Sequence, residues 1–402
     1  MKSLVVLGGA DGAITTVRAA RRIGLRAICV DQRDDAPALR HADEHLSVST
    51  RDLERLTAIL ADRDDVAGVL SPASDVNLPS QYHLARHLGL PTGLSEAAVR
   101  ASVDKGFFRA VCDRLGQPGP RYVQGSPEEV LAAATDLTYP VMVKPTDSSG
   151  GRGVSQCTDP AELPAAVAAA ADWSSSRVVI IEEYLLGEHY TAEAVVQGGK
   201  VVLFGLGRRA LTPPPHFVTI SHTMPGAPAE VSQQVHAMLD DVCRELDYQW
   251  GSLNVDVLVT PDGRVVLVEL GARLGGNGSA ELLGLMHGVD VTELSVAMAV
   301  GEQPSLAATR SWVASFQVLS ADQAGKLVAI HNLSAARAMP DVVDLVISAS
   351  PGDAVEPYHR AGAKVGYVLV ASPDPERLQA TLSQLAELVQ VEVAPHADSE
   401  EH

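Results

Sequence analysis

Two acids that face each other across a tight turn are the sharpest chemical feature of this sequence. Residues 252–260 and 264–273 alternate apolar and polar side chains on either side of Pro261-Asp262-Gly263, the pattern of a β-hairpin. Centring the register on that turn puts Leu253, Val255, Val257 and Val259 on one face with Val266, Val268 and Leu270. Ser252, Asn254 and Asp256 share the other face with Glu269 and Arg273. Asp256 then lies opposite Glu269, at roughly 5 Å between Cβ atoms. Two like charges at that spacing repel. A hard divalent cation between them removes the problem, and carboxylates with phosphate oxygens are what Mg²⁺ prefers. A solvated hairpin face with incidental acids is the plainer alternative.

A second feature is Lys144-Pro145 at the end of an apolar strand, followed by a Ser/Gly-rich loop containing Ser148, Ser149, Gly150 and Gly151. Glycine lets backbone N–H groups approach phosphates, and a lysine beside them neutralises phosphate charge. The alternative is an ordinary hairpin loop. A third feature is Glu182-Glu183-Tyr184-Leu185-Leu186-Gly187-Glu188 after an apolar strand. A carboxylate pair there can accept two ribose hydroxyls, or can simply end a strand in water. Lys105 alone reads as a solvated lysine at a helix end.

The elements that must hold these residues follow from the patterning. The first ninety residues alternate short apolar strands with helices, which is βαβ repetition around a parallel sheet. Helices are expected over 107–115, 128–134, 161–171 and 231–246, and strands over 141–144 and 178–181. Gly198-Gly199 marks a hairpin between strands at 191–196 and 201–205. Residues 213–228 read as a long irregular loop holding His216 and His222, and a loop of that length usually has a function. Residues from about 311 form a further α+β piece, and the tail from His396 reads as frayed. The expected division is 1–100, 101–186, 187–310 and 311–402.

Composition narrows the chemistry. The 402 residues carry 50 acids against 31 Lys and Arg, a formal charge of −19, so general binding to nucleic acid is excluded and any anion site must be locally basic. The four cysteines form no CxxC pair, which points away from zinc ribbons and disulfide scaffolds and toward a reducing cytoplasm. No apolar run approaches the ~18 residues of a membrane span.

Taken together and in this order, these motifs resemble the ATP-grasp superfamily, and within it the carboxylate–amine ligases, most like the L-amino acid ligase branch. The likeness rests on Lys105, Lys144-Pro145 with its Ser/Gly loop, the Glu-Glu-Tyr-Leu-x-Gly-Glu segment, and the acid–hairpin–acid–x–x–x–Arg block running into Leu274-Gly275-Gly276-Asn277. It implies an α/β and α+β fold: a wound N-terminal sheet, a small lid and a large antiparallel-sheet domain. It further implies ATP with Mg²⁺ (or Mn²⁺ in its place). Lys105 and Lys144 would contact the phosphates, with Ser148, Ser149, Gly150 and Gly151 as the lid. Residues 182–185 would line the adenine slot and Glu188 would hold the ribose. Asp256 and Glu269 would bind the metal, and Arg273 would stabilise the transferred phosphoryl group. The substrate carboxylate itself attacks the γ-phosphate, so no protein nucleophile is required.

One departure stands out. The resemblance leads one to expect Glu-x-Asn-x-Arg, and Gly271 occupies the asparagine's place. Asn254, opposite Gly271, is the candidate replacement ligand, with Asn277 and water as competitors. Arg208, Arg209, His216 and His222 are the candidate contacts for a carboxylate substrate, set against the plainer reading of a solvated charge pair and loop histidines. The partners expected are small-molecule carboxylates and amines, with a homodimer among the possible assemblies. Two rival readings stay open. Gly8-Gly9-Ala10-Asp11-Gly12 with Asp31 suggests an NAD-dependent oxidoreductase, although the glycine spacing is not G-x-G-x-x-G. The missing asparagine suggests a non-catalytic nucleotide-binding homologue.

Overall fold

The computed structural model describes residues 1–148, 151–213, 216 and 218–395. The chain divides into two compact units. The first comprises Met1–Phe204, Pro228–Gly276 and Asp290–Ala307; the second comprises Gly205–Ala227, Asn277–Val289 and Ala308–His402.

The first unit opens with four parallel strands, β1 (Ser3–Leu7), β2 (Arg26–Val30), β3 (Glu44–Leu46) and β4 (Val66–Leu70), in the order β3-β2-β1-β4. Helices α1 (Ile14–Arg22), α2 (Leu53–Ala61) and α3 (Leu78–His87) cover it. The continuous apolar run of β1 is explained by burial on both faces. Leu4 and Val6 pack with Val17 and Ala20 of α1, while Val5 and Leu7 pack with Leu56, Leu60 and Leu84. Helices α4 (Glu96–Val103) and α5 (Lys105–Arg114) meet at Asp104, whose side chain accepts from the Phe107 amide and caps α5. That cap starts the helix two residues earlier than the apolar pattern indicated and fixes Lys105 on its first turn.

A four-stranded antiparallel sheet follows: β5 (Tyr122–Gly125), β6 (Val141–Pro145), β7 (Ser155–Cys157) and β8 (Val179–Glu183), ordered β5-β8-β6-β7. Helices α6 (Pro127–Ala133) and α7 (Leu163–Trp173) pack on it through Val130, Val167 and Ala170.

Strand β9 (Glu188–Gln197) turns into β10 (Lys200–Leu211) through Gly198 and Gly199, whose φ of 60° and 71° suit the turn that glycine tolerates and other residues resist. Strand β10 begins in the first unit and ends in the second. Strand β11 (Thr219–Met224) lies inside the stretch read as an irregular loop. Its alternation of Thr, Ser and Thr with Ile, His and Met pairs it with β10, and turn residues on both sides had masked it. Pro214, Pro215 and Phe217 of that stretch lie outside the described residues, as do Ser149, Gly150 and the tail from His396.

Helix α8 (Ala229–Glu245) precedes β12 (Trp250–Val259) and β13 (Val265–Gly271), which form the expected hairpin; β12 also pairs with β9 along its whole length. Helix α9 (Ser279–His287) belongs to the second unit and α10 (Val291–Ala299) to the first, where Arg22 of α1 pairs with Asp290 at 2.7 Å and Glu293 at 2.5 Å. The second unit continues with β14 (Val313–Leu319), β15 (Gly325–Ile330), α11 (Leu333–Arg337), β16 (Val342–Ile347), β17 (Ala354–Val355), β18 (Gly366–Ser372), α12 (Pro375–Leu388) and β19 (Val391–Pro395). Strands β11, β14, β18 and β16 are antiparallel neighbours, and β17-β15-β19 form a separate sheet. All four cysteines are buried and free. Among the described residues no single helix is long and apolar enough to cross a membrane.

Candidate active site

The hairpin register centred on its turn holds where it matters chemically. Asn254 faces Gly271, Val255 faces Leu270, and Asp256 faces Glu269. A bulge follows, so that Val257 pairs with Leu267 and Leu258 with Val266. Leu267 is therefore fully buried, in place of the expected Val268.

Lys105 joins three segments. Its backbone N–H donates to the Thr146 carbonyl at 2.9 Å, its Nζ donates to the Ser148 carbonyl at 2.7 Å, and its Nζ lies 2.9 Å from Glu269 Oε1. Burial alone would raise the Glu269 carboxyl. Lys105, and after it Lys144 and Arg273, outweigh burial and hold Glu269 below the ordinary carboxylate range. Lys144, on β6, donates to Glu182 Oε2 at 2.6 Å. Glu182 is buried and accepts a second bond from Arg109 Nε at 3.1 Å, and Arg109 also donates to the Leu267 carbonyl at 3.0 Å. Burial would raise Glu182, yet the two cations bring it down to about 2. The carboxylate expected at the adenine slot thus anchors the lysine expected at the phosphates.

Of the remaining slot residues, Glu183 accepts from the Thr138 amide at 2.8 Å, and Tyr184 donates its backbone N–H to the Pro140 carbonyl at 2.9 Å. Leu185 is half-buried. The exposed Glu188 accepts from the Tyr190 hydroxyl at 2.5 Å.

Arg273 sits in a dense polar network. Its Nε and Nη2 donate to the two oxygens of Asp75 at 2.8 and 2.7 Å. Its Nη1 donates to Asn254 Oδ1 at 3.2 Å and to the Leu274 carbonyl at 3.1 Å. Asn254 in turn donates to the fully buried Glu193 at 2.8 Å, and Glu193 accepts from the Gly275 amide at 2.9 Å. Burial would lower the Arg273 pKa; Asp75 first, then Glu193 and Glu269, raise it, so the guanidinium stays charged. The Asn254 amide oxygen was expected to project toward a metal. It accepts from Arg273, and the space beside Gly271 is taken by the Asp75 carboxylate and the Arg273 guanidinium.

A cavity of about 340 Å³ opens among Arg51, Asp75, Ser80, Lys105, Ser148 and Glu269. The Arg51 guanidinium has no hydrogen-bond or ion-pair partner among the described residues. Asp75, Arg109, Glu193 and Arg51 were all missed by sequence reasoning. The partners of Asp75, Arg109 and Glu193 lie far away in the chain, Arg51 has no distinctive neighbour, and the only available signal was that Asp75 follows an apolar strand end, where α/β sheets place ligands.

The residues expected to contact a carboxylate substrate belong to the second unit. Arg208, Arg209 and His222 stand on β10 and β11 of the second unit, with Arg209 directly opposite His222. His222 is buried and neither ring nitrogen has a hydrogen-bond partner among the described residues; burial, then Arg209, lowers it to about 3. The His216 ring stacks on His359 at 4.1 Å between centroids.

The dinucleotide reading loses its acid. Asp31 accepts from the Gly9 amide at 2.9 Å and from Arg33 Nε and Nη2 at 3.0 and 2.8 Å, so its oxygens are already engaged.

Comparison with known proteins bears on the family and the fold. Residues 104–306 match the carbamoyl-phosphate synthase L chain ATP-binding domain family, and residues 317–394 match the L-amino acid ligase C-terminal domain 2. An uncharacterized protein of Sinorhizobium fredii, y4rH, is 30% identical over 95% of this chain and 81% of its own length. The carbamoyl phosphate synthase large chain of Micrococcus luteus is 27% identical over 215 residues, and the chain spans only 19% of its length. Among solved structures, an L-amino acid ligase from Bacillus licheniformis superposes with a TM-score of 0.82 at 19% identity, covering 98% of this chain and 99% of that one. The biotin carboxylase domain of a Hydrogenobacter thermophilus 2-oxoglutarate carboxylase, solved with MgADP, superposes at 0.78 and 16% identity, covering 98% and 91%.

The chain belongs to the ATP-grasp superfamily of ATP-dependent carbon–nitrogen ligases. Within it, residues 317–394 are similar to the C-terminal domain 2 of L-amino acid ligases, and the chain shares the fold of one of them.

Proposed function

We propose that this enzyme uses ATP to phosphorylate a carboxylate, most simply that of an amino acid, and passes the acylphosphate to an amine, releasing ADP and phosphate. The observation that carries this reading is the gathering of Lys105, Lys144 and Arg273 around Glu269, which faces Asp256 across the hairpin. Such a site works by positioning and by neutralising charge on a transferred phosphoryl group.

In this reading Lys105 and Lys144 bind phosphate oxygens. Lys105 carries the Ser148 carbonyl with it, so the segment 148–151 closes as the lid over the nucleotide. Residues 182–185 line the base and Glu188 meets the ribose. Arg273 meets the phosphoryl group and the acylphosphate. Domains at 1–100, 101–186, 187–310 and 311–402 belong to the same reading.

The donor set tests the metal. No group of three or more His, Cys, Asp or Glu able to hold an ion occurs among the described residues. Two facing carboxylates do occur. One or two carboxylates completed by substrate phosphates is the usual Mg²⁺ arrangement, so the residues fit. Asp256 and Glu269 would hold Mg²⁺, which would supply charge neutralisation between phosphate oxygens. Asn254 is kept as a support for Arg273.

For the carboxylate substrate, Arg51, a cavity cation unpaired among the described residues, is proposed to hold its anionic end. Arg208, Arg209, His216 and His222 of the second unit are proposed as further substrate contacts. The partners are small-molecule carboxylates and amines.

The test is phosphate release with ATP and Mg²⁺ over amino acids offered singly and in pairs, with nucleotide products resolved by chromatography. ADP and a new amide are expected. AMP with pyrophosphate, or a change in nicotinamide absorbance without ADP, overturns the reading.

A further inference from the structure

Arg273 has five N–H donors in a fixed planar fork. Four of them are committed: one on Nε and one on Nη2 to Asp75, and two on Nη1 to Asn254 and the Leu274 carbonyl. Among the described residues this leaves a single N–H for a phosphoryl oxygen. The geometry of the guanidinium is therefore set by its protein partners before any substrate arrives, and the bidentate partner is Asp75.

Asp75 comes from a different part of the chain, the turn between β4 and α3. That turn is rigid. The Asn77 amide donates to the Leu7 carbonyl at 3.0 Å and accepts from Thr50 Oγ1 at 2.7 Å. Ser71 Oγ donates to the Ser74 carbonyl at 2.9 Å, and Ala73 holds a φ of 51°, rare for a residue with a Cβ. Sparsely populated backbone of this kind is found where surrounding structure over-determines a functional position.

Gly271 completes the arrangement. A Cβ on Gly271 would lie 2.4 Å from Asp75 Oδ1 and 3.0 Å from both Cζ and Nε of Arg273. No side chain fits there while Asp75 holds Arg273. The glycine in the second hairpin strand and the aspartate after β4 thus occupy one space between them.

We propose that Asp75 is the positioning residue for Arg273, and that Gly271 is the vacancy that admits its carboxylate. Asp75 does not meet the reacting atoms; it fixes the plane of the guanidinium so that its charge and its one remaining N–H are aligned for the phosphoryl group. The inference rests on the ligase reading for what Arg273 does, and on the structure alone for how Arg273 is held.

The experiment compares Asp75→Asn, Asp75→Ala, Gly271→Ala and the double variant Asp75→Ala with Gly271→Ala in the full chain. The expected result is a loss of at least ~10-fold in kcat for phosphate release in Asp75→Asn and in Gly271→Ala, with KM for ATP and the Mg²⁺ requirement within about twofold of the parent. In the Asp75→Ala background, Gly271→Ala should add little further loss, because the two changes remove the same contact. The Arg273 Nε–H resonance in ¹⁵N-arginine-labelled protein provides a readout independent of turnover. It should exchange slowly in the parent and rapidly in Asp75→Asn and Gly271→Ala alike. Near-parental kcat in a folded Asp75→Asn variant overturns the proposal, as does an unchanged Nε–H resonance. A raised Mg²⁺ requirement with kcat recovered at high Mg²⁺ overturns it too, by making Asp75 a metal ligand. Fully additive losses in the double variant remove the shared space. If no carboxylate and amine pair releases phosphate with the parent protein, the ligase reading fails, and the resonance still decides how Arg273 is held.

Discussion

The Lys144 ammonium donates to the Glu182 carboxylate at 2.6 Å, and that carboxylate is shared with Arg109 at 3.1 Å. Glu182 is thus an anion shared by two cations. The arrangement is asymmetric: removing Lys144 leaves Glu182 paired with Arg109, while removing Glu182 leaves two cations without their partner.

That asymmetry separates two variants. Glu182→Ala should destabilise the fold by roughly 3–5 kcal/mol, the scale for breaking a buried pair from one side. Lys144→Ala should be much milder in urea unfolding yet lose at least ~10²-fold in turnover, the scale of one transition-state charge partner. The Glu182 pKa is depressed from 4.5 to about 2 in the folded protein. Its contribution is therefore complete above pH 4.5 and is lost as pH falls toward 2. Equal unfolding midpoints for the two variants would refute the asymmetry.

His222 makes the opposite kind of prediction, because it gains nothing from being charged. Its folded value of about 3 lies below its ordinary 6.5. Stability is complete above pH 6.5 and declines as pH drops from 6.5 toward 3, because only the unfolded chain takes up the proton readily. The slope from this one group approaches ~1.4 kcal/mol per pH unit. His222→Gln should flatten the decline between pH 6 and pH 4 in thermal unfolding. A slope identical to the parent's would remove His222 as its cause.

Arg51 should act on one substrate only. Arg51→Ala is expected to raise KM for the carboxylate substrate about tenfold, the loss of a charge-assisted contact, with KM for ATP unchanged. Steady-state kinetics with each substrate varied in turn would decide it, and a parallel rise in both constants would place Arg51 outside the carboxylate site.

The lid should respond to nucleotide. Amides beside Ser148 and Gly151 are expected to exchange more slowly with ATP and Mg²⁺ than without, since Lys105 links the Ser148 carbonyl to the phosphate site. Hydrogen exchange by mass spectrometry reads this directly, and equal protection in the two conditions would count against closure.

Much of the site was legible because its chemistry is local. Alternation and a tight turn suffice to oppose Asp256 and Glu269, since both sit within a few residues of the turn that sets their register. The same logic failed one residue later, because a bulge leaves no trace in an apolar run. Lys144 could be read from the strand end and loop beside it. Asp75 could not: its partner Arg273 is 198 residues away, and Arg109 meets Glu182 across 73. Long-range polar pairing depends on the finished fold, and neither residue has a distinctive neighbour. Gly271 was visible as a departure from the family resemblance, but its reason appears only once Asp75 is seen in its space. Strand β11 was hidden for a different reason: prolines before it and Pro225-Gly226 after it outweighed six alternating residues.

The first unit is assembled from three separate stretches of chain, and its α1 and α10 are joined through Arg22 and Asp290, 268 residues apart. On a ribosome adding 5–20 residues per second, Arg22 waits roughly a quarter of a minute to a minute for that partner to be made. Throughout that time the parallel sheet lacks its last covering helix. A nascent chain stopped before α10 is complete exposes apolar surface that the finished enzyme hides, so premature termination there should yield insoluble, chaperone-bound fragments, not a smaller working enzyme.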